Sequence, residues 1–289
     1  MAAASPRDDY AALPGRGIRL HYRDWGGDGP PLLLLHGLSS NSRIWDLTAP
    51  LLIERFHVVA LDQRSHGRSD QPDDGYGFGD VTADLQAFIE TLAIESPTIV
   101  GHSWGANVAL TYAVAHPDAV RSIVLVDGGV VDISEHSTWD EAEPRMRPPE
   151  IDGMPVETMV GFMRRWPQLK DIWSDELQEM VLANFTIRED GTIARPLTIE
   201  NHMKIARAIF DMRPADLLEK LACPLLVISC QQEPTNDEAR RWQKLREDGL
   251  KALGRVAPDA RVVVMKDTIH DVPIQRPEEL AKQISDFAE

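Results

Sequence analysis

Short apolar runs alternate with longer amphipathic segments along most of this chain. A continuous apolar run is typical of a strand buried on both faces, whereas apolar positions three or four residues apart are typical of a helix packed on one side. The predicted strands are 17–25, 31–35, 56–61, 98–101, 122–126, 225–229 and 261–265, and the predicted helices include 80–92, 106–115 and 278–287. This order predicts an α/β fold, with a mostly parallel central sheet and helices on both of its faces.

The alternation of strands and helices is interrupted between about residues 131 and 213. That segment is rich in methionine and aromatic residues, and it has a helical pattern after Pro155, around Asp175 and over 197–210. We therefore expect two parts, which are a core domain (residues 1–130 and 214–289) and an inserted helical cap (residues 131–213). Most apolar side chains of the cap are expected to form its own core, and a few are expected to face a cleft beneath it.

The chain is strongly acidic, with a formal net charge of −16 at pH 7. Nucleic acids and anionic membrane surfaces are poor partners for such a chain, because both are themselves negatively charged. A small, neutral, apolar molecule is the simpler substrate to expect. The sequence also contains no apolar stretch long enough to span a bilayer, so we expect no membrane partner. The pattern predicts no particular oligomeric state.

The two cysteines, Cys223 and Cys230, flank the predicted strand 225–229. A strand of this length separates them by roughly 20 Å, whereas a disulfide requires Cα atoms within about 7 Å of each other. We expect two free thiols, which are typical of a reducing cytoplasm. Because the chain has no other cysteine and no clustered pair of histidines, we expect no metal site.

The most informative motif is Gly-His-Ser-Trp-Gly at residues 101–105. It lies between an apolar strand-like run and a helical run, which is the strand–turn–helix context of the nucleophile elbow G-x-S-x-G. The chain approaches itself closely on both sides of the serine in such a turn, so that only a residue without Cβ fits at Gly101 and Gly105. We expect Ser103 to be a nucleophile whose hydroxyl projects from the end of the strand into a cleft.

A serine hydroxyl is a weak nucleophile at neutral pH and needs a base, which in turn needs an orienting acid. In nucleophile-elbow enzymes the order along the chain is serine, acid, histidine, which predicts the base after the last strand. His270 follows the predicted strand 261–265 and is the only histidine in the C-terminal quarter of the chain. We therefore expect His270 to be the base.

Three residues are candidates for the acid that orients His270. Sites of α/β sheets lie in the loops that follow the carboxyl ends of the strands. Glu233 lies in the loop after the penultimate predicted strand and is the favoured candidate. Asp127, directly after the strand 122–126, is the alternative, and Asp237 is the third candidate.

The oxyanion of an acyl-transfer reaction needs backbone donors. One is the N–H of the residue after the nucleophile, Trp104, and the other comes from the loop after the second apolar strand, where Leu38 is the expected donor. Gly37 allows that loop to turn. We expect His36 to be a structural histidine that bonds to loop backbone, and the side chain of His102 to point away from the nucleophile.

Taken together, these residues resemble the α/β-hydrolase superfamily over almost the whole chain. Residues 62–69 (DQRSHGRS) are similar to its D-x-R-G-x-G-x-S loop, with Ser65 in place of the first glycine. Residues 270–279 resemble the tail in which the catalytic histidine precedes the last helix. The resemblance implies a cofactor-free hydrolase with a serine–acid–histidine triad. Glu233 stands where the family more often has aspartate, which weakens its assignment as the acid.

The leading hypothesis for function is a serine hydrolase that cleaves a small-to-medium neutral ester or lactone. The first alternative is a carbon–carbon bond hydrolase of the meta-cleavage type, whose carboxylate-bearing substrates require basic residues in the cleft; Arg164, Arg165, Arg188 and Arg207 are candidates, although solvated helix faces explain them more simply. The second alternative is a ligand-binding module without turnover. The combination of a nucleophile, a base and an oxyanion loop argues against that alternative.

Overall fold

The computed structural model describes residues 5–288, so residues 1–4 and 289 of the predicted core domain lie outside the described part of the chain. Its strands are β1 (Arg7–Ala12), β2 (Arg19–Gly26), β3 (Pro31–Leu35), β4 (His57–Leu61), β5 (Thr98–His102), β6 (Ser122–Val126), β7 (Thr186–Ile187), β8 (Ile193–Ala194), β9 (Leu225–Gln231) and β10 (Arg261–Lys266). Its helices are α1 (Phe78–Thr91), α2 (Trp104–Ala115), α3 (Trp139–Met146), α4 (Val156–Arg165), α5 (Asp175–Leu182), α6 (Ile199–Asp211), α7 (Pro214–Leu218), α8 (Asp237–Val256), α9 (Val272–Gln275) and α10 (Pro277–Ala288).

Eight of the strands form one sheet in the order β1-β2-β4-β3-β5-β6-β9-β10. Within this sheet β4, β3, β5, β6, β9 and β10 pair in parallel. At one edge β1 pairs antiparallel with β2, and β2 pairs antiparallel with β4. Because all the parallel strands run the same way, their carboxyl ends lie along one edge of the sheet. The loops that carry the residues predicted for the site follow those ends.

The central strands are buried on both faces, which explains their continuous apolar sequences. Along β3, Leu33 and Leu35 join the cluster that α1 and α2 form on one face of the sheet. Leu32 and Leu34 join the cluster on the opposite face, to which α10 contributes. Alternate residues of a strand point to opposite faces. The predicted α/β fold with helices on both faces is therefore confirmed.

All seven strands predicted from the sequence are present, with ends shifted by two residues at most. The prediction missed β1, whose residues are exposed except for Ala11. It also missed α3, which contains a proline, and α8, in which only Leu245, Gly249 and Leu253 are buried. A largely exposed helix shows few apolar positions, although Trp242, Leu245 and Leu253 do recur at helical spacing.

Residues 131–213, referred to below as the insertion, lie between β6 and β9 and contain α3, α4, α5, α6 and the β7–β8 hairpin. Its apolar side chains form two small clusters, one around Leu177 and Val181 and one around Ala142 and Phe210. The expected helices are present. The division into a core domain and a cap stays a prediction.

Within residues 5–288 no helix is long and apolar enough to cross a membrane. The same part of the chain contains no group of three or more histidine, cysteine, aspartate or glutamate side chains placed to hold a metal ion.

Candidate active site

The elbow around Ser103 is a strained turn between β5 and α2. Ser103 has φ 53° and ψ −118°, a backbone conformation that side-chain-bearing residues rarely adopt. A Cβ on Gly101 would overlap the carbonyl oxygen of Gly105, and one on Gly105 would lie 2.6 Å from the carbonyl oxygen of Leu35. Gly101 therefore has the steric cause that the sequence predicted, whereas Gly105 is required by the close approach of the end of β3. The Ser103 N–H donates to the carbonyl of Val126 over 2.9 Å, which ties the elbow to β6.

Two neighbouring loops pack closely against the elbow. The loop after β3 comes so close that a Cβ on Gly37 would lie 3.0 Å from the Cβ of Ser103. The loop after β6 comes closer still, because a Cβ on Gly128 would overlap the carbonyl oxygen of Ser103. These contacts bring Leu38 and Asp127, the neighbours of the two glycines, to the same cavity as Ser103.

Asp127 and His270 form a short hydrogen bond. Nδ1 of His270 lies 2.6 Å from Oδ2 of Asp127, and Oδ1 of Asp127 accepts the backbone N–H of Cys230 over 3.0 Å. The Asp127 side chain is only 1% exposed. Burial by itself raises the pKa of Asp127, but the hydrogen bond to His270 and the charges of His270 and Arg246 outweigh it, so that the pKa lies below its ordinary value. Asp127 is therefore an ionised carboxylate.

This arrangement corrects the preferred choice of acid. Glu233 is exposed in the loop after β9, and Asp237, the third candidate, is exposed at the start of α8. Since β6 is paired directly with β5, a residue at its end lies beside Ser103, whereas β9 is one strand further away. Asp127 also has a left-handed φ of 45°, and its N–H is held by the carbonyl of Ile228. The structure thus places the alternative acid, and not Glu233, against His270.

His102 packs against His270 and bonds to its backbone. Nε2 of His102 donates to the backbone carbonyl of His270 over 2.8 Å, and the two rings lie 4.7 Å apart. Burial and the charge of His270 lower the pKa of His102 to about 4, so that His102 is neutral near pH 7. For His270, burial lowers the pKa, but the hydrogen bond and charge of Asp127 outweigh it, and the pKa lies above its ordinary value. The expectation that the His102 side chain points away from the nucleophile stays a prediction.

The two expected oxyanion donors face one cavity. Trp104 is the first residue of α2, and a first-turn N–H has no acceptor within its own helix. Leu38 and Trp104 both line the cavity that contains Ser103. His36, fully buried, donates from Nδ1 to the carbonyl of Gly37 over 2.7 Å and accepts the N–H of Gln63 at Nε2 over 3.0 Å. It is the structural histidine that the sequence predicted.

The cavity around Ser103 has a volume of about 410 Å³ and contains two arginines that the sequence analysis did not single out. Arg145 comes from α3 and Arg246 from α8, the two helices that the pattern missed. Nη2 of Arg246 lies 3.3 Å from Oδ2 of Asp127, and Nε of Arg145 lies 4.0 Å from a carboxylate oxygen of Glu238. Recognising the amphipathic period of α8 would have placed Arg246 on the same face as Gly249 and Leu253, which lie three and seven residues further along the helix.

The four arginines suggested by the sequence lie elsewhere. Arg164, Arg165, Arg188 and Arg207 are exposed and do not line this cavity. Arg207 pairs with Asp211 over 2.7 Å, and Arg188 lies 3.6 Å from Asp152. Their interpretation as solvated helix and loop positions agrees with the structure.

A second cavity, of about 600 Å³, lies between the insertion and the core. It is lined mainly by apolar side chains of α4 and α5, such as Met159, Phe162 and Met180. Leu38 lines both cavities, and Asp271, next to His270, lines the second one. The expected apolar cleft is thus present, and it adjoins the candidate oxyanion loop.

Comparisons with known proteins agree with this fold. Residues 30–176 match the family of the alpha/beta hydrolase fold. The chain is 30% identical over 273 residues to the 2-(acetamidomethylene)succinate hydrolase of Mesorhizobium japonicum, covering 93% of this chain and 91% of that protein. It is 38% identical over 162 residues to the N-formylmaleamate deformylase of Pseudomonas putida, covering 53% of this chain and 59% of that protein.

Among solved structures, that of an E-2-(acetamidomethylene)succinate hydrolase superposes with a TM-score of 0.80 at 27% identity, over 98% of each chain. The protein belongs to the α/β-hydrolase family and is a serine-type hydrolase.

Proposed function

We propose that the protein hydrolyses a small carboxylate-bearing ester or amide through an acyl-enzyme on Ser103. The observation that carries the proposal is the 2.6 Å hydrogen bond between His270 and Asp127 at a cavity that Ser103 also lines. An ionised, buried acid that holds Nδ1 of a histidine leaves Nε2 free to take a proton from a serine hydroxyl. Together with the strained elbow, this arrangement is the nucleophile, base and acid of an acyl-transfer enzyme.

The reaction follows from these positions. His270 removes the proton of the Ser103 hydroxyl as Oγ attacks the carbonyl carbon, and the carbonyl oxygen becomes an oxyanion held by the N–H groups of Leu38 and Trp104. His270 then gives the proton to the leaving alcohol or amine, and the acyl group stays on Ser103. A water molecule, deprotonated by His270, attacks the carbonyl carbon of the acyl-enzyme. The bond from that carbon to Oγ then breaks, His270 returns the proton to Oγ of Ser103, and the carboxylic acid is released.

The charge of the cavity differs from the charge of the whole chain. The protein is acidic overall, which favoured a neutral substrate. Within the cavity, however, Arg246 offsets the charge of Asp127, and Arg145 lies 4.0 Å from Glu238 and near the charge of Glu141. Among the described residues Arg145 thus has no ion pair shorter than 4.0 Å, and its guanidinium lines the cavity. Guanidinium groups bind carboxylates through paired charged hydrogen bonds, which supports an anionic group on the substrate.

The scissile bond is an ester or an amide. The sequence favours an ester or lactone. The names of the two relatives, 2-(acetamidomethylene)succinate hydrolase and N-formylmaleamate deformylase, both describe an acylated nitrogen in a carboxylic acid, and they make an amide the second candidate. The carbon–carbon hydrolase hypothesis also requires basic residues in the cleft. The four arginines suggested by the sequence do not line it, but Arg145 and Arg246 do, so carbon–carbon hydrolysis is the third candidate.

The first test uses two esters with the same four-carbon acyl chain. p-Nitrophenyl butyrate is neutral, whereas mono-p-nitrophenyl succinate carries a carboxylate. We expect hydrolysis of both, with the higher kcat/KM for the succinate, and a loss of roughly 10⁴-fold or more in Ser103→Ala. A series of neutral esters from two to twelve carbons and an N-acetylated enamine of a dicarboxylic acid then compare chain lengths and the amide. Failure on esters and amides together, with turnover of a vinylogous acid, would overturn the proposal in favour of carbon–carbon hydrolysis.

Replacing Arg145 tests the charge argument separately. In Arg145→Met we expect the KM for the succinate ester to rise by about 10- to 100-fold, the value of a charged hydrogen bond, while kcat/KM for the butyrate ester stays within about twofold. Arg207→Met is the matched control, because Arg207 is also on the insertion but lies outside the cavity. An equal loss on both esters would mean that Arg145 supports the fold of the insertion rather than binding a carboxylate.

A further inference from the structure

Arg246 and His270 compete for the same oxygen of Asp127. Nδ1 of His270 lies 2.6 Å from Oδ2, and Nη2 of Arg246 lies 3.3 Å from that atom. The other oxygen, Oδ1, is occupied by the N–H of Cys230. The carboxylate is almost completely buried, so that this guanidinium is one of the few groups that reach it. The sequence motifs of the elbow and the histidine loop do not account for such a contact.

The position of Arg246 is set by close packing of α8. Gly249 lies one turn further along the helix, and a Cβ there would overlap the carbonyl oxygen of Val130, in the loop that follows Asp127. Residues three apart on a helix share a face. The glycine therefore lets α8 approach the loop, and the approach brings Arg246 to the carboxylate. Its side chain remains 28% exposed and faces the cavity of Ser103.

We propose that Arg246 is a positioning residue for the triad, which shares Oδ2 of Asp127 with His270 and thereby limits how strongly that carboxylate holds the protonated imidazole of His270. The proposal rests on the proposed function, because it assigns a role relative to the base and the acid of that reaction. It adds a fourth side chain to the serine, histidine and aspartate of the proposed triad.

The charges around His270 determine whether the loss of Arg246 raises or lowers the pKa of this histidine. Asp127 at the end of β6 and Asp271 beside the histidine favour its protonated form, whereas Arg246 on α8 opposes it, and His102 behind it is neutral near pH 7. Removing Arg246 removes a repulsive charge, so that the pKa of His270 rises. A base must be unprotonated to act. On acidification, the activity of a variant without Arg246 would therefore begin to fall at a higher pH than the activity of the wild type.

The experiment compares Arg246→Met with Arg246→Lys, and with Arg240→Met on the same helix as the matched control. Arg240 pairs with the exposed Asp237 and does not line the cavity. The pKa of His270 is measured by NMR titration of its ring without substrate, with His270→Gln to assign the resonance. We expect Arg246→Met to raise it by about 0.5–1 unit, and both Arg246→Lys and the control to leave it close to the wild-type value.

The pH profile of ester hydrolysis provides the second readout. In Arg246→Met we expect kcat/KM to fall by about three- to tenfold at pH 6 and to stay within about twofold at pH 8, because only the protonation of the base has changed. An unchanged pKa of His270, or a loss of equal size at every pH, would overturn the proposal and leave Arg246 with a purely structural role. The titration needs no turnover, so it gives its answer even if the protein hydrolyses none of the esters.

Discussion

The candidate active site has two sides. The elbow side comprises residues 36–38, 62–69 and 101–105. Each of these segments is a short contiguous motif held by steric contacts and buried hydrogen bonds. On the acid side, Asp127, Arg145 and Arg246 come from the end of β6, from α3 and from α8, which are far apart in the sequence. The elbow side supplies chemistry that any acyl-transfer hydrolase needs. The acid side carries the charged groups to which we assign, as proposals, the strength of the base and the charge of the substrate.

The burial of the two sides differs in the same sense. His36, His66 and Asp62 on the elbow side are almost completely buried and bonded to backbone or to each other's loops. On the acid side Asp127 is equally buried, whereas Arg145 is about 40% exposed and faces the cavity. A buried, fully bonded group tolerates little change, because an unsatisfied partner costs about 1–3 kcal/mol. We therefore expect Arg145 to tolerate substitution better than Asp127 or the buried groups of the elbow side.

The largest effect expected distinguishes the two acids that the sequence left open. Asp127→Asn should lower kcat by about 10⁴-fold, because an amide neither fixes the Nδ1–H tautomer of His270 nor stabilises the imidazolium. Glu233→Gln is the matched control and should change kcat by less than about twofold, since Glu233 is an exposed loop residue. Steady-state kinetics on one ester measures both. A large loss in Glu233→Gln with a small one in Asp127→Asn would restore the original choice of acid.

The next effect tests the steric rigidity of the elbow. Gly101→Ala places a Cβ against the backbone carbonyl of Gly105, which cannot move away as a flexible side chain could. We expect a loss of about 3 kcal/mol in the free energy of unfolding, at the upper end of overpacking effects, measured by urea denaturation. Gly254→Ala in α8 is the control, because no atom lies within 4 Å of its new Cβ. It should stabilise the protein by about 0.5–1 kcal/mol. Equal effects would mean that the elbow relaxes easily.

The contrast between the two sides also explains which features of the fold and site could be predicted from the sequence. Strands buried on both faces, the elbow and the histidine after the last strand are visible as local patterns. The structure confirms the strands and brings Ser103 and His270 to one cavity. Whether Asp127 or Glu233 meets His270 depends on the order of β6 and β9 in the sheet, which no local pattern contains. Arg246 was missed because α8 buries only three residues, and because its contact with Asp127 spans more than a hundred positions along the chain.

Ser65 illustrates the same limit in a single residue. It stands where the related loop has a glycine, and it nevertheless adopts a left-handed φ of 60°. Its hydroxyl lies 2.6 Å from the hydroxyl of Tyr76, a hydrogen bond that helps to hold the turn. The departure from the family pattern is visible in the sequence, but the partner that compensates for it is known only from the fold.

The smallest effect expected concerns stability against pH on the elbow side. Burial and the charge of His36 lower the pKa of His66 to about 3, and burial and the charge of His270 lower that of His102 to about 4. Unfolding exposes both rings, whose ordinary pKa is about 6.5. Between pH 6.5 and these lowered values the unfolded chain binds more protons, so that the free energy of unfolding falls as the pH falls.

From pH 7 to pH 5 each ring should contribute a loss of about 2 kcal/mol in the free energy of unfolding. His66→Gln removes one titrating ring and keeps an amide near the N–H of Ser39 and the carbonyl of Arg64, the two groups that His66 bonds. We expect this variant to be less stable at pH 7 but to lose about 2 kcal/mol less than the wild type on acidification. His57→Gln is the control, because that half-exposed ring near Asp24 lies away from the site. If His66→Gln loses as much as the wild type, the elbow side is not held by neutral buried histidines, and its contrast with the charged acid side fails at that residue.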